Sequence, residues 1–348
     1  MTYRTPEDRR ERVDEVLEAL GKARRVILTT HVNADGDGTG CQIALASWLR
    51  GLGREAWIIN PTPFPDLFEF LLPDEDWIVH AGSDQAAELA RTADLGIVVD
   101  TGELSRLGRV KPLFDGLPTT IVVDHHPPGE DAIPGISFRE PSAAAAGELV
   151  YDVLRASGEP LSADARDAIY VAIMTDTGTF RFSNATPGAF RIAAELVEAG
   201  TRPDVLHQHI YGSHPLHRLE LLRDSLAELE VDDDGLVAWM SVPPKSFERL
   251  GATAGDLDGF VDYPRSVEGV EAGLLFRSLA DGSTKVSFRS TGRLDVNVLA
   301  RRFGGGGHVK AAGAKIRSPM EEARRDVVEA AVAEAKKIRN PSAASGVE

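Results

Sequence analysis

His31-Val32-Asn33-Ala34-Asp35-Gly36-Asp37-Gly38-Thr39-Gly40 lies between a β-branched run, Val26-Ile27-Leu28-Thr29-Thr30, and an apolar, helix-like run from Ile43 to Leu49. A histidine and two aspartates thus fall on a glycine-rich turn where a buried strand gives way to a helix. In an open α/β sheet, ligands gather outside the carboxyl ends of strands. Three hard or borderline ligands within seven positions suit a divalent cation. The same residues would also serve as a turn that caps the next helix. Recurrence of the pattern separates the two readings.

The pattern recurs. Leu95-Gly96-Ile97-Val98-Val99-Asp100-Thr101-Gly102 is a continuous apolar run of strand length that ends in an acid and a glycine. Thr119-Thr120-Ile121-Val122-Val123-Asp124-His125-His126-Pro127 repeats the design, with a proline to stop it. Buried parallel strands read as continuously apolar, so these three runs predict a doubly wound, mainly parallel sheet whose polar tips meet in one crevice. A further acid, Asp176, sits on the turn Thr175-Asp176-Thr177-Gly178 after a predicted helix, Ser162 to Met174. The candidate ligands are then His31, Asp35, Asp37, Asp100, His125 and Asp176. Four carboxylates and two imidazoles are too many for one ion and suit two, with one carboxylate bridging. The oxygen-rich set favours Mn²⁺, with Mg²⁺, Fe²⁺ or Co²⁺ as alternatives; a closed zinc site would want sulfur. Two such ions, about 3.5–4 Å apart, would neutralise phosphoryl oxygens and make a water nucleophilic. His126, next to His125, is placed to hydrogen-bond a phosphoryl group.

The 348 residues allow two domains. No apolar run is long enough to span a bilayer, and the charged start, Met1 to Arg12, does not read as a secretory signal. A single cysteine, Cys41, excludes an internal disulfide and makes a cytoplasmic setting the default. With 54 acids against 38 bases, the formal net charge of −16 argues against gripping long nucleic acid through counterion release. It leaves room for a short phosphorylated ligand held by metals and a few local bases.

Helices are also predicted at 5–23, 142–156 and 187–200. A second short strand is read at 56–60 and a short helix at 64–72. The stretch 201–222 reads as a hinge, with His207, His209, His214 and His217 as solvated or interdomain residues. A smaller C-terminal α/β domain follows at 223–339, with strands near 236–242, 270–277 and 284–289 and a helix at 295–302, and 340–348 reads as a disordered tail. Within this domain Phe303-Gly304-Gly305-Gly306-Gly307-His308-Val309-Lys310-Ala311-Ala312-Gly313 reads as an anion-binding loop. Its glycines let backbone N–H groups approach an anion, and a helix start just after them is expected to favour phosphate. Arg289 and His308 would add charge-assisted contacts.

Taken in order, His-x-x-x-Asp-x-Asp, the strand-end Asp100, Asp124-His125-His126 and Asp176-Thr177-Gly178-x-Phe180 resemble the DHH phosphoesterase superfamily. Gly304-Gly305-Gly306-Gly307-His308-x-x-Ala311-Ala312-Gly313 resembles its DHH-associated C-terminal domain. The two-domain layout, with 1–200 as the first domain, is similar to the bifunctional oligoribonuclease/3′,5′-bisphosphate nucleotidase subfamily (nanoRNases). The resemblance implies one metal on His31, Asp35 and Asp100 and another on Asp37, Asp100, His125 and Asp176. It implies that Asp124 supports the histidines, and that His126, Arg289, Gly305, Gly306, Gly307 and His308 hold substrate in a cleft between the domains. It further implies hydrolysis of short RNA and dinucleotides to 5′-mononucleotides, conversion of adenosine 3′,5′-bisphosphate to AMP, and a homodimer. Asn33-Ala34 and Cys41 stand where many members carry proline and serine.

A soluble phosphodiesterase for cyclic or linear dinucleotides remains an alternative within the same chemistry. A pyrophosphatase would carry a Lys/Arg-rich second domain instead of the glycine loop, and RecJ-type exonucleases carry additional nucleic-acid-binding structure. A non-catalytic nucleotide sensor should have lost some of the six ligands. A dinucleotide-binding oxidoreductase is disfavoured because Gly36-x-Gly38-x-Gly40 lacks the G-x-G-x-x-G spacing.

Overall fold

The computed structural model describes residues 2–339, which divide into two compact units at the boundary between Ser213 and His214. In the first unit, five strands form one parallel sheet: β1 (Arg25–Thr29), β2 (Glu55–Ile58), β3 (Leu95–Val99), β4 (Thr120–Asp124) and β5 (Ile136–Arg139). Their order is β2-β1-β3-β4-β5. The strand order therefore reverses between β1 and β3, and such a reversal opens a crevice at the strands' carboxyl ends.

Helices cover both faces: α1 (Arg10–Lys22), α2 (Gly36–Gly51), α3 (Asp84–Thr92), the short α4 (Lys111–Phe114), α5 (Ala146–Ala156), α6 (Ala163–Asp176), α7 (Pro187–Glu198) and α8 (Pro203–Tyr211). The strands alternate between two cores. Val26 and Leu28 pack with Ile43, Leu149 and Ile169 of α2, α5 and α6. Ile27 and Val98 pack with Ala86 of α3 and Phe114 of α4. Glycine lets α2 lie directly against α6. A Cβ on Gly40 would stand 2.4 Å from the Ala168 carbonyl oxygen, and one on Gly36 2.4 Å from Thr175 Oγ1.

Two stretches depart from the sequence pattern. β5 was not anticipated, because Ile136-Ser137-Phe138-Arg139 has no continuous apolar run. The stretch 201–222, read as a hinge, is mostly helical; it carries α8 and the start of α9 (Leu216–Leu226), with the division between units falling between them.

The second unit holds a six-stranded mixed sheet of order β10-β11-β9-β8-β7-β6. Its elements after α9 are β6 (Glu230–Val231), β7 (Val237–Ser241), α10 (Pro244–Arg249), α11 (Asp262–Arg265), β8 (Ala272–Ser278), β9 (Thr284–Ser290), α12 (Val296–Arg302), β10 (Gly306–His308), β11 (Ala311–Ile316) and α13 (Met320–Arg339). One sheet face packs Leu274, Phe276 and Phe288 against Val327 and Ala331 of α13. The helix expected just after the glycines is not there. Gly306–His308 instead pairs antiparallel with Ala311–Gly313 in a hairpin. The physical reason is backbone proximity: a Cβ at Gly305 would lie 2.1 Å from the Gly313 carbonyl oxygen, and one at Gly307 2.5 Å from that of Ala311. The proposed tail, 340–348, lies outside the described residues. Among those described, no helix is long and apolar enough to cross a membrane.

Candidate metal centre

The residues flagged at the strand tips converge at the carboxyl end of the parallel sheet. His31 follows β1, Asp100 follows β3, and His125 and His126 follow β4. Asp35 caps α2, its Oδ1 accepting the Asp37 and Gly38 N–H groups at 3.0 and 3.2 Å. Asp37 lies in the first turn of α2 and performs a second job. Its Oδ2 accepts the Ala146 N–H at 2.6 Å and its Oδ1 the Gly147 N–H at 2.8 Å. The residue that would ordinarily cap α5, Ala145, has no side chain able to do so. Asp37 thus supplies the cap from a different helix, where the dipole of α5 favours a negative charge. Asp176 ends α6, and its Oδ2 accepts from Asn184 Nδ2 at 3.2 Å.

Backbone conformation marks the same loops. Among the described residues, left-handed φ at non-glycine positions occurs at Asn33 (57°), Asp100 (58°), Thr179 (59°) and Phe180 (62°). Asparagine and aspartate tolerate this region; threonine and phenylalanine do so at a cost of about 1–3 kcal/mol each, strain that typically gathers at functional sites.

The two oxygens of Asp100 face different neighbours. Oδ2 is 3.0 Å from His31 Nε2, whereas Oδ1 is 3.5 Å from His125 Nε2 and 3.7 Å from His126 Nδ1. His31 Nε2 also lies 3.8 Å from Asp35 Oδ2. His125 Nε2 is buried and makes no hydrogen bond, although Asp37 Oδ2 and Asp176 Oδ2 stand 3.7 and 3.8 Å away. A buried ring nitrogen ringed by three carboxylates just beyond hydrogen-bond range is the donor arrangement a divalent cation takes up, since ligands about 2.1 Å from a metal sit more than 3 Å from each other. His31 Nδ1 is 2.9 Å from the Val32 carbonyl oxygen, which puts a proton on Nδ1 and leaves Nε2, facing Asp100, as the nitrogen a cation would take in place of a proton.

The electrostatics agree. Burial pushes Asp176 up to about 6, with Asp100 and Asp35 adding repulsion against the pull of His125. Burial and the Asp100 charge likewise hold Asp37 well above the usual carboxylate range, and they raise Asp35. Burial also opposes ionisation of Asp100, but the His125 and His31 rings outweigh it and bring Asp100 down. For His125, burial is outweighed by Asp100, Asp37 and Asp176, which lift it to about 10. Crowded acids that share too few positive charges are a natural seat for added cations.

Three ligand groups emerge among the described residues: His31-Asp35-Asp100, Asp37-His125-Asp176 and Asp100-His125-His126. The first two contain the six residues singled out by sequence. In the third, His126 Nδ1 is committed to Asp124, whose Oδ1 lies 2.8 Å away and also accepts the His126 N–H. The four histidines at 207–217 join none of these groups: His209 stacks on Phe70 at 4.4 Å and His217 pairs with Asp256 at 3.0 Å.

In the second unit, Arg289 is half-buried on β9, its Nη1 donating to the Phe288 carbonyl oxygen at 3.1 Å. Register sets Arg289, Ala311 and His308 in one cross-strand row, with Ser287, Gly313 and Gly306 in the row two residues along. The His308 side chain lies outside the described atoms. Sequence reasoning missed Asn184 and the α5 amides, because their contacts with Asp176 and Asp37 arise only in the folded chain.

Comparison with known proteins agrees with this architecture. Residues 25–173 match the DHH family, N-terminal domain, and residues 234–337 match the DHHA1 domain. The chain belongs to the DHH family. It is 33% identical over 321 residues, 91% of its length and 92% of the relative's, to the bifunctional oligoribonuclease and PAP phosphatase NrnA of Thermus thermophilus. It is 26% identical, over 86% of its length, to the cyclic-di-AMP phosphodiesterase GdpP of Geobacillus thermodenitrificans, of which it spans 46%. An exopolyphosphatase-related protein from Bacteroides fragilis shares the fold at a TM-score of 0.89 and 26% identity, covering 94% of this chain and 98% of that one.

Proposed function

We propose that the chain is a metal-dependent phosphoesterase that hydrolyses short oligoribonucleotides to 5′-mononucleotides and adenosine 3′,5′-bisphosphate to AMP. The observation that carries this reading is Asp100, whose two oxygens face the two ligand groups separately. Support comes also from the similarity to NrnA along nearly the whole of both chains. His31, Asp35 and Asp100 would hold one ion, and Asp37, Asp100, His125 and Asp176 the other, with Mn²⁺ the best match to the donors. Cations bound there would draw charge from phosphoryl oxygens and acidify an attacking water.

The chain's own groups do the rest. Asp37 is anchored to the α5 N-terminus through both of its oxygens, and Asn184 orients Asp176. Asp124 holds His126 by Nδ1, and the imidazole so placed would meet a phosphoryl oxygen. Arg289, the hairpin glycines and His308 would bind the substrate's remaining phosphate or sugar. A homodimer in the cytoplasm completes the proposal.

The similarity to GdpP favours cyclic dinucleotides as a second substrate class. One Mn²⁺ assay panel tests the reading: a dinucleotide, a pentanucleotide, adenosine 3′,5′-bisphosphate, cyclic di-AMP and pyrophosphate, ranked by turnover. The dinucleotide and the bisphosphate should lead. Asp100→Ala should cost both at least about a thousandfold, because a single oriented electrostatic contact is commonly worth 10²–10³ and this one serves two ions. Pyrophosphate leading the panel, or near-normal turnover by Asp100→Ala, would refute it.

A further inference from the structure

Arg139 ends β5 in register with Asp124 on β4. Its Nε stands 3.3 Å from Asp124 Oδ2. That approach is a charge contact and not an aligned hydrogen bond, since Nε is buried with no hydrogen-bond partner. Both side chains are withdrawn from solvent, Asp124 almost completely. The other carboxylate oxygen, Oδ1, holds His126 through Nδ1 at 2.8 Å and through the backbone N–H at 3.1 Å. Asp124 is therefore clasped from both sides, by a permanent cation and by the imidazole. Gly102, two residues after Asp100, opens the space for this. A Cβ there would fall 1.3 Å from Arg139 Nη2 and 2.4 Å from Cζ, so the guanidinium occupies the volume that any other residue at 102 would need.

A buried carboxylate needs a countercharge held in place beside it. Without Arg139, Asp124 would depend on His126 alone for compensation, and the ring would lose its fixed orientation. We propose that Arg139 is a positioning residue: lodged against Gly102, it fixes Asp124 from behind and so orients the His126 imidazole for the reacting phosphoryl group. Gly102 is the second half of the device, since its missing side chain is what lets the guanidinium lie there. The inference rests on the phosphoesterase reading for His126's role, but the Arg139–Asp124–His126 geometry can be tested apart from it.

The test compares Arg139→Met, Arg139→Lys, Gly102→Ala and the double variant Gly102→Ala/Arg139→Met in full-length protein, with thermal unfolding as the folding control. Removing a group that orients a site residue commonly costs 10- to 100-fold, so kcat of Arg139→Met should fall by about that factor with KM nearly unchanged. Arg139→Lys should recover part of the loss. Gly102→Ala should mimic Arg139→Met, and adding it to Arg139→Met should cost nothing more, because the space is then vacant. In metal-free protein with ¹⁵N-labelled histidine, the downfield Nδ1–H resonance of His126 should exchange faster with water in Arg139→Met. Unchanged kcat and an unchanged resonance overturn the inference, as do additive losses in the double variant. If the wild-type protein cleaves no phosphoester, the functional reading fails, and the resonance alone decides the Arg139 geometry.

Discussion

Asp176 shows what the site costs when no cation is bound. Its carboxyl is pushed up to about 6, first by burial and then by Asp100 and Asp35. A raised carboxyl value means that the native state binds the proton more tightly than the unfolded chain does. Metal-free stability from this group therefore falls as pH climbs from near 4 through 6, and the full penalty applies at pH 7.5. Asp176→Asn removes the charge and keeps an oxygen for Asn184. It should stabilise the metal-free protein at pH 7.5 by on the order of 1–2 kcal/mol, the shift discounted for partial exposure, and should do nothing at pH 3.5. It should also reduce the gain in Tm that Mn²⁺ gives the wild type, the set His31, Asp35 and Asp100 being left intact. Thermal unfolding at both pH values, with and without Mn²⁺, checks this; a lower metal-free Tm at pH 7.5, or an intact Mn²⁺ response, would contradict it. The six candidate ligands, whose side chains the fold gathers into two groups, could be picked out in the sequence because each follows a recognisable strand, turn or helix end. Arg139, Asn184 and the amides of Ala146 and Gly147 were not, because each meets its partner only after the chain has folded.

At the scale of elements, β1, β3 and β4 were readable because a strand covered on both faces is apolar at every position. β5 is only four residues long, and its exposed Ser137 breaks the pattern. The β10–β11 hairpin was misread for a related reason. Glycine and alanine carry too little side chain to show a period of two, so a strand of them resembles a loop. The contacts separate two kinds of glycine there. A Cβ at Gly305 meets backbone at 2.1 Å, whereas one at Gly306 finds nothing nearer than Asn297 Oδ1 at 3.9 Å. Gly305→Ala should lower stability by about 1–3 kcal/mol, the usual range for overpacking, while Gly306→Ala should leave the unfolding midpoint almost unmoved. Denaturant titrations of both variants decide it. Equal destabilisation would mean that the hairpin's close approach is not what demands glycine at 305.

For the molecule as a whole, every proposed metal ligand lies within Met1–Ser213, a unit with its own two cores. A fragment ending at Ser213 should therefore fold and still gain Tm on addition of Mn²⁺. It should lose at least about a hundredfold in turnover of a dinucleotide, because remote binding contacts contribute to kcat as well as to KM. Full turnover by the fragment would remove Arg289 and the hairpin from the reaction; failure to bind Mn²⁺ would show that the first unit is not self-sufficient. The two-unit organisation was visible from composition and motifs, whereas the helical character of 201–222 was hidden by Pro203, Gly212 and Pro215, which bound its helices instead of breaking them. Asp37 has one last consequence. Since it tethers the start of α5, a genetic screen that scored only lost turnover would count its replacement twice, once for a missing donor and once for a frayed helix, and would overrate it beside Asp35, whose tether reaches no farther than its own helix.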